Sequence, residues 1–185
     1  MRKIMLFILA VSLFAGCNDP QPRRPISVKS GSFSTKSVER NKELLASEEQ
    51  LFEDIIKKDT LHDYIRSSNG YWYFFNLKKD SSAYQPVTDD VVKISYNIRS
   101  VSNDTIYSAD QIGDLVIKID KEELFPGLRT GLKLLREGET ATFLFPSSMA
   151  YGYHGDDDKI GINVPLISTV SLIKVIERSK DSLTN

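Results

Sequence analysis

Residues 145–166 hold the densest group of chemically capable side chains in the sequence. This stretch, FPSSMAYGYHGDDDKIGINVPL, contains Tyr151 with its hydroxyl group, three glycines, and the consecutive acids Asp156, Asp157 and Asp158. Three carboxylates could bind calcium, but a calcium loop spaces its acids alternately and ends on a glutamate, and neither feature occurs here. The stretch therefore predicts an acidic exposed turn between two strands, and no metal site.

The first 17 residues are typical of a bacterial export signal. MRK supplies positive charge, IMLFILAVSLFA is an apolar run of 12 residues, and GC follows. A helix of this length spans about 18 Å, well short of the ~30 Å hydrocarbon core of a membrane. LFAGC resembles the lipobox of bacterial lipoproteins, which implies removal of residues 1–16 and lipidation of Cys17. The alternative is an ordinary signal peptide with an incidental cysteine.

Nucleophilic catalysis has no support elsewhere in the sequence. The only histidines are His62 and His154, and the only cysteine, Cys17, is assigned to the lipid. A hydrolase places its nucleophile beside a base, and neither histidine has such a partner in the sequence. A glycine-rich phosphate loop is also missing from the sequence. We therefore expect no hydrolytic site and no cofactor.

Composition indicates one globular core. The 185 residues are 41% hydrophobic, which suits a single domain with appendages. The 24 basic and 25 acidic residues give a formal charge of −1, and no basic stripe runs along the sequence. Because a phosphate backbone is bound through such a stripe, we exclude nucleic acid as a partner.

The segment before the core separates into a tether and a helix. Residues 17–36 contain prolines and serines without apolar periodicity, which predicts a flexible tether. Residues 37–59 have apolar side chains at helical spacing, which predicts an amphipathic helix within a helical segment over residues 37–68. Ser47 and Gln50 form the pattern of a capping box, which would break and restart this helix. The apolar stripe packs either on its own domain or on a partner.

From residue 69 onward the apolar pattern changes from that of a helix to that of strands. One short helix interrupts the strands, and Pro126 lies in its first turn. Gly131 has no side chain, so the helix can pack close to the sheet at this position. This order predicts an α+β fold over residues 69–180, an antiparallel sheet of about five strands curled around one short helix. The predicted strands are residues 70–79, 91–101, 115–119, 140–145 and 167–177.

Three segments of this region resemble, in order and spacing, the signature of the FKBP-type peptidyl-prolyl isomerases. FPGLRTGL with the following EGE matches the helix, FPSSMAYG matches the Pro-x-x-x-Ala-Tyr-Gly turn, and IGINVPL matches the turn before the last strand. The lipobox, the tether, the short helix, NGYWY and MAYGYHGDD together resemble the gliding-motility-associated FKBP-type lipoproteins of Bacteroidetes. This second resemblance extends over nearly the whole chain.

The resemblance implies an apolar cleft that binds proline. It gives catalytic roles to Tyr151, whose hydroxyl would donate to a substrate carbonyl, and to Tyr96, and it places Ile160 over the proline. The other wall positions that it implies for substrate binding are Ile106, Tyr107, Leu115, Leu124, Phe125, Leu128 and Ser168. For the apolar members of this set, the alternative is ordinary core packing.

Several wall positions depart from the family pattern. Leu128 stands where the family has tryptophan, Ile106 and Tyr107 stand where it has a Phe-Asp pair, and Leu115 and Ser168 each replace a phenylalanine. Smaller side chains imply a wider cleft, and Tyr107 implies a phenol where a carboxylate would be. These departures bear on the rate that the cleft can reach.

Two functions follow from the resemblance. The first is a lipid-anchored isomerase that acts on proline-containing segments of exported proteins and is linked to gliding motility or secretion. The second is a non-catalytic FKBP-like binding module of the same envelope machinery. Tyr96, Tyr151 and Ile160 favour the first, and Leu128 and Ser168 favour the second. CNDPQPRR has one acid after the cysteine, whereas surface-exported lipoproteins of that group have acidic runs there, so we expect an anchor that faces the periplasm.

Overall fold

The computed structural model of the protein describes residues 31–79 and 82–178, with side chains from residue 35 onward. The predicted signal peptide, Cys17 and most of the predicted tether lie outside these described residues. In the described ranges, no helix is both long and apolar enough to cross a membrane.

The chain divides into two compact units, Met1–Val38 and Glu39–Asn185. Of the first unit, the structure describes only residues 31–38, which form the start of helix α1. The sheet, the remaining helices and every contact discussed below belong to the second unit.

Helix α1 spans Gly31–Lys58 without a break, so it begins inside the segment that the sequence assigns to the tether. The predicted break at Ser47 is wrong. The Ser47 hydroxyl donates to the carbonyl of Leu44 at 2.7 Å, within the preceding turn, instead of capping a new helix. Phe52 is buried against the outer face of the sheet, and Ile55 and Ile56 pack against the same cluster. The second half of the apolar stripe therefore packs on its own domain, whereas Leu45 and Leu51 are exposed.

The second unit is built on one antiparallel sheet. The strands are β1 (Ile65–Arg66), β2 (Trp72–Leu77), β3 (Val91–Tyr96), β4 (Ile98–Arg99), β5 (Thr105–Tyr107), β6 (Leu115–Lys118), β7 (Thr140–Phe145) and β8 (Leu166–Glu177). The order of the strands in the sheet is β1-β2-β7-β8-β3-β6, and β4 pairs with both β5 and β8. The helical elements after α1 are α2 (Ala109–Ile112), α3 (Pro126–Leu132) and a 3₁₀ turn (Ser147–Met149).

The antiparallel sheet and the short helix predicted from the sequence are confirmed. The five predicted strands appear as β2, the β3–β4 pair, β6, β7 and β8. The predicted strand over residues 91–101 is divided at Asn97, because the Asn97 side chain accepts the backbone N–H of Thr169 at 2.9 Å. Strands β1 and β5 are only two and three residues long, too short for a periodic pattern.

Both faces of the sheet are covered. Along β7, Phe143 and Phe145 point to the inner face and are buried in the main core with α3. Leu144, between them, points to the outer face and is buried with Phe52 of α1 and Ile167 of β8. This alternation follows from the two-residue period of a strand. The central strand therefore has almost no residue left for solvent.

Helix α3 lies unusually close to β7. A Cβ added to Gly131 would come within 3.0 Å of the Phe143 ring, which confirms the close approach predicted at this glycine. The contact at Gly127, which the sequence did not predict, is tighter. A Cβ there would lie 2.4 Å from the Phe145 ring and 2.7 Å from the carbonyl oxygen of Met149. Because Gly127 has no side chain, α3 can contact strand β7 and the turn after that strand at the same point.

We expect Gly127→Ala to lower the free energy of unfolding by about 1–3 kcal/mol, because an added methyl group overpacks a filled core. Gly131→Ala is the matched control. Its methyl group meets only the edge of one ring, and alanine favours the helix by up to about 1 kcal/mol relative to glycine. Urea unfolding followed by circular dichroism measures both variants. Equal stability of the two would contradict the close contact at Gly127.

Candidate active site

The residues assigned to the site by resemblance gather around the inner face of the sheet. Four are buried members of the main core: Tyr96, Phe125, Leu128 and Ile160. Five are partly buried and pack against that core: Ile106, Tyr107, Leu115, Leu124 and Tyr151. Ser168, fully buried, lies on strand β8. The structure brings these residues together, and their roles towards a substrate stay predictions.

Helix α3 places the apolar base of this region. Leu128 has no exposed surface, and Phe125 precedes Pro126 at the start of the helix. The Phe125 ring lies 5.4 Å from the Tyr151 ring and 5.4 Å from the Phe145 ring, centroid to centroid. The Tyr151 ring therefore packs against the Phe125 ring at the edge of the main core.

The two tyrosines assigned to catalysis are both neutral at physiological pH. Burial raises the pKa of Tyr151 to about 12, and the nearby Tyr96 and Asp156 add to the effect. Burial also raises the pKa of Tyr96. A neutral phenol keeps its proton and can donate it in a hydrogen bond. Among the described residues, the Tyr151 hydroxyl donates to no group of the chain, so this donor is available to a ligand.

Ser168 differs from the other assigned residues, because its polar group is already occupied. Its hydroxyl donates to the backbone carbonyl of Asn97 at 2.6 Å. The backbone carbonyl and the side-chain amide of Asn97 together hold β8 at the point where β3 passes into β4. Ser168 therefore stabilises the sheet beneath the site, and its hydroxyl has no free proton for a ligand.

Tyr107 closes one side of the site through the acidic turn. Its hydroxyl donates to Asp156 Oδ2 at 2.6 Å and lies 3.0 Å from Asp158 Oδ2. The other oxygen of Asp156 accepts the backbone N–H of Ile160 at 2.7 Å. The ammonium group of Lys159 lies 4.7 Å from the centre of the Tyr107 ring. Asp156 thus connects strand β5 to Ile160 and fixes the position of the turn.

These bonds determine the charge state of Asp156. Burial opposes its ionisation, but the hydrogen bonds from Tyr107 and from the backbone N–H groups of Ile160 and Asp158 outweigh burial and lower the pKa of the carboxyl. The same bond to Asp156 raises the pKa of Tyr107. The sequence predicted the acidic turn but not this contact, although a tyrosine in place of the family's aspartate was a signal that the hydrogen-bond partner had changed.

Glu48 of helix α1 supports the turn that carries Tyr151, a contact that no sequence pattern predicted. Its side chain is 4% exposed, and Oε2 accepts the backbone N–H of Ser147 at 2.9 Å. The Ser147 carbonyl in turn accepts the N–H groups of Ala150 and Gly152 at 3.0 and 2.9 Å. The turn that carries Tyr151 is therefore fixed by a carboxylate 99 residues away in sequence.

In the described part of the chain, no group of three histidine, cysteine, aspartate or glutamate side chains is placed to hold a metal ion.

We expect the amide signal of Ile160 to report the ionisation of Asp156. A lowered pKa means that the bond is fully present above the ordinary value of 3.8 and is lost as the pH falls through the lower, folded-state value. The ¹⁵N–¹H shift of Ile160, followed by NMR from pH 6 downward, should change with a midpoint below 3.8. Asp156→Asn should remove this transition, and Asp157→Asn should leave it. A midpoint at or above 3.8 would contradict the assigned bonds.

Comparison with known proteins assigns a family to this region. The family model of the FKBP-type peptidyl-prolyl cis-trans isomerases matches residues 82–173. A probable FKBP-type peptidyl-prolyl cis-trans isomerase FkpA of Neisseria meningitidis serogroup B is 30% identical over 141 residues. The match covers 76% of this chain and 51% of that protein, so the chain spans about half the length of this curated relative.

Solved structures have the same fold. A peptidyl-prolyl cis-trans isomerase from Pseudomonas syringae pv. tomato superposes with a TM-score of 0.58 at 19% identity, over 72% of this chain and 94% of that chain. FkpA from Escherichia coli superposes with a TM-score of 0.59 at 21% identity, over 95% of this chain and 82% of that chain. At these identities the structural likeness concerns the fold, and the sequence match adds the family. Through residues 82–173, the chain belongs to the FKBP-type peptidyl-prolyl cis-trans isomerase family.

Proposed function

We propose that the protein catalyses cis/trans exchange of X-Pro bonds in exported polypeptides. One observation carries this proposal: the Tyr151 hydroxyl is a neutral donor with no acceptor among the described residues, and its ring packs on Phe125. The family match and the relative named as an isomerase support the same activity.

The reaction requires little more than such a surface. Rotation about an X-Pro bond crosses a barrier of ~18–20 kcal/mol without breaking a covalent bond, so no nucleophile or base takes part. The twisted amide loses its resonance and carries less charge on oxygen and nitrogen than the planar amide. An apolar surface that excludes water therefore favours the twisted form over the planar one.

Two residues would orient the substrate in this cleft. Tyr151 donates to the carbonyl of the residue before proline, which holds the acyl half of the bond while the proline ring turns. Ile160, 3% exposed and held by Asp156, covers the ring. A 10⁶-fold acceleration corresponds to about 8 kcal/mol, which an apolar surface and one oriented hydrogen bond can supply together.

A non-catalytic binding module is the second candidate function. It is favoured by the side-chain bonds around the cleft: Tyr107 is engaged with the acidic turn, and Ser168 is engaged with Asn97. Neither group can then contact a substrate as freely as the family pattern implies. The same cleft would bind a proline-containing segment without catalysing cis/trans exchange of its X-Pro bond.

We further propose that the protein is anchored in the cell envelope through lipid on Cys17, facing the periplasm, and that it assists components of a gliding or secretion machinery. The support is the LFAGC motif, the tether-like composition that follows it, and the single acid after the cysteine. X-Pro bonds in newly exported chains equilibrate in tens to hundreds of seconds, which is slow enough to limit their folding.

We expect the protein to accelerate exchange in a short peptide with an apolar residue before proline, and Tyr151→Phe to slow the rate about 5-fold. The variant loses one hydrogen bond of net ~1 kcal/mol, while the apolar surface remains. NMR exchange spectroscopy on the peptide measures the rate without a protease.

Tyr153→Phe is the matched control, because Tyr153 lies in the same turn but is 71% exposed. It should leave the rate unchanged. If the unaltered protein binds the peptide but gives no exchange above background, the isomerase proposal fails and the binding module replaces it. Equal losses in the two variants would remove the orienting role from Tyr151.

We expect Cys17→Ala to release the protein from membranes, because several buried acyl chains, at about 0.8 kcal/mol per CH₂, would be lost with the thiol. The measurement is fractionation of cells followed by a carbonate wash. Ser30→Ala serves as a control for changes near the start of the chain. Retention of the Cys17 variant in the washed membrane fraction would disprove lipid anchoring at this residue.

A further inference from the structure

A cavity lies on the outer face of the sheet, on the side opposite Phe143. It has a volume of about 330 Å³. Its walls come from the end of α1, the segment after it, and strands β2, β4, β7 and β8, and they include Ile55, Asp59, Arg99, Val101, Asn103 and Leu144. Leu144 packs with Phe52 on the outer face, whereas the site residues pack on the inner face, so this cavity is separate from the candidate active site.

The charged group of interest in this cavity is Arg99. Its guanidinium is fixed by two intramolecular bonds, from Nη1 to Asn103 Oδ1 and from Nη2 to Thr169 Oγ1, the latter 3.1 Å long. Thr169 is held in turn by the Thr142 hydroxyl at 2.9 Å. The cation is therefore rigid, and the polar groups that hold it are uncharged.

Arg99 lacks a counter-charge. In residues 31–79 and 82–178, no carboxylate lies within ion-pair distance of its guanidinium, and its Nε is buried without a hydrogen-bond partner. Burial lowers the pKa of Arg99, which reflects the cost of keeping this charge away from water. A partly desolvated cation without an anion is an unfavourable arrangement unless a ligand completes it.

The nearest acid in the cavity wall, Asp59, has other partners. Its carboxylate accepts from the Tyr64 hydroxyl at 2.9 Å and from the backbone N–H of Leu61 at 3.0 Å, and it lies 2.8 Å from His62 Nδ1. All of these partners belong to the segment that follows α1, and none of them is Arg99. The acid still adds negative charge to the cavity, so the cavity favours a ligand with one negative charge over a phosphate with two.

We propose that this cavity binds a carboxylate that carries an apolar group. The remaining guanidinium protons of Arg99 would receive the carboxylate in charge-assisted hydrogen bonds, and the apolar group would rest on Ile55, Val101 and Leu144. A concave, mostly apolar site of a few hundred Å³ with a few fixed polar groups is the usual form of a small-ligand site. Three sources share this chemistry: a free organic acid, the carboxyl terminus of a polypeptide, and an acidic side chain within one.

The test is a ¹⁵N–¹H NMR titration of the protein with phenylacetate and with its uncharged counterpart, phenylacetamide. Phenylacetate should give saturable shifts that concentrate at Val101, Asn103 and Leu144, and phenylacetamide should bind at least about tenfold more weakly. Arg99→Gln should weaken phenylacetate binding by the same factor. Arg66→Gln is the matched control, because Arg66 is exposed and already paired with Glu49, and it should change nothing.

A second variant covers the case in which Arg99→Gln does not fold. Val101→Phe keeps the charge and fills the cavity, and it should abolish the shifts while the spectrum of the folded protein remains. Equal binding of acid and amide, undiminished binding by either variant, or shifts spread over exposed lysines would each overturn the proposal. None of these outcomes depends on the isomerase assay.

The source of the carboxylate is assigned by three further titrations. N-acetylphenylalanine carries a carboxyl terminus on an apolar residue, N-acetylphenylalanine amide removes that charge, and N-acetylglutamate amide carries only a side-chain carboxylate. If N-acetylphenylalanine binds most tightly, the carboxylate comes from a chain terminus. If N-acetylglutamate amide binds most tightly, the carboxylate comes from an acidic side chain. Tightest binding of phenylacetate assigns a free acid. Absence of binding by all of the acids would overturn the proposal.

Discussion

The close packing of helix α3 on strand β7 is the contact on which the rest of the site depends. Gly127 has no side chain, and this lets the helix approach the Phe145 ring and the Met149 carbonyl at the same time. The helix brings Phe125 and Leu128 to the base of the cleft, and the turn after β7 brings Tyr151. A larger residue at position 127 would separate the two halves of the site by displacing both.

Around this apolar contact, the site is positioned by a few hydrogen bonds from the main chain to buried or partly buried side chains, two of which are distant in sequence. Glu48 fixes the turn before Tyr151, Asp156 fixes Ile160, and Asn97 fixes the strand beneath. Each bond joins a side chain to a backbone N–H, so it restrains the main chain directly. An apolar cleft catalyses by shape and desolvation, and such catalysis depends on walls that do not move when the substrate turns.

The sequence predicted the architecture better than the contacts. Strand β7 was predicted with its observed bounds because a run of β-branched and aromatic residues ends at Pro146, and Gly131 was recognised because a helix that faces a sheet has room for little else. The division at Asn97 was not predictable, because it arises from a bond to Thr169, 72 residues later. Glu48 was likewise invisible, since a glutamate on an amphipathic helix resembles any solvated charge until Ser147 is placed beside it. Helix α1 continues through Ser47 although the sequence has a capping pattern there. The Ser47 hydroxyl donates to the Leu44 carbonyl within the helix instead of capping a new one.

Tyr107 shows why a substituted family position must be interpreted together with the residue that it faces. The family pattern has a carboxylate at this position, and its replacement by a phenol suggests at first that a polar function of the cleft has been lost. In the structure the carboxylate is instead on the other side, at Asp156, and the phenol donates to it at 2.6 Å. The donor in this pair is therefore Tyr107 of strand β5, and the acceptor is Asp156 of the acidic turn. Because Asp156 also accepts from Ile160, the pair connects this wall residue to strand β5, and a departure that suggested a wider cleft restrains its covering residue.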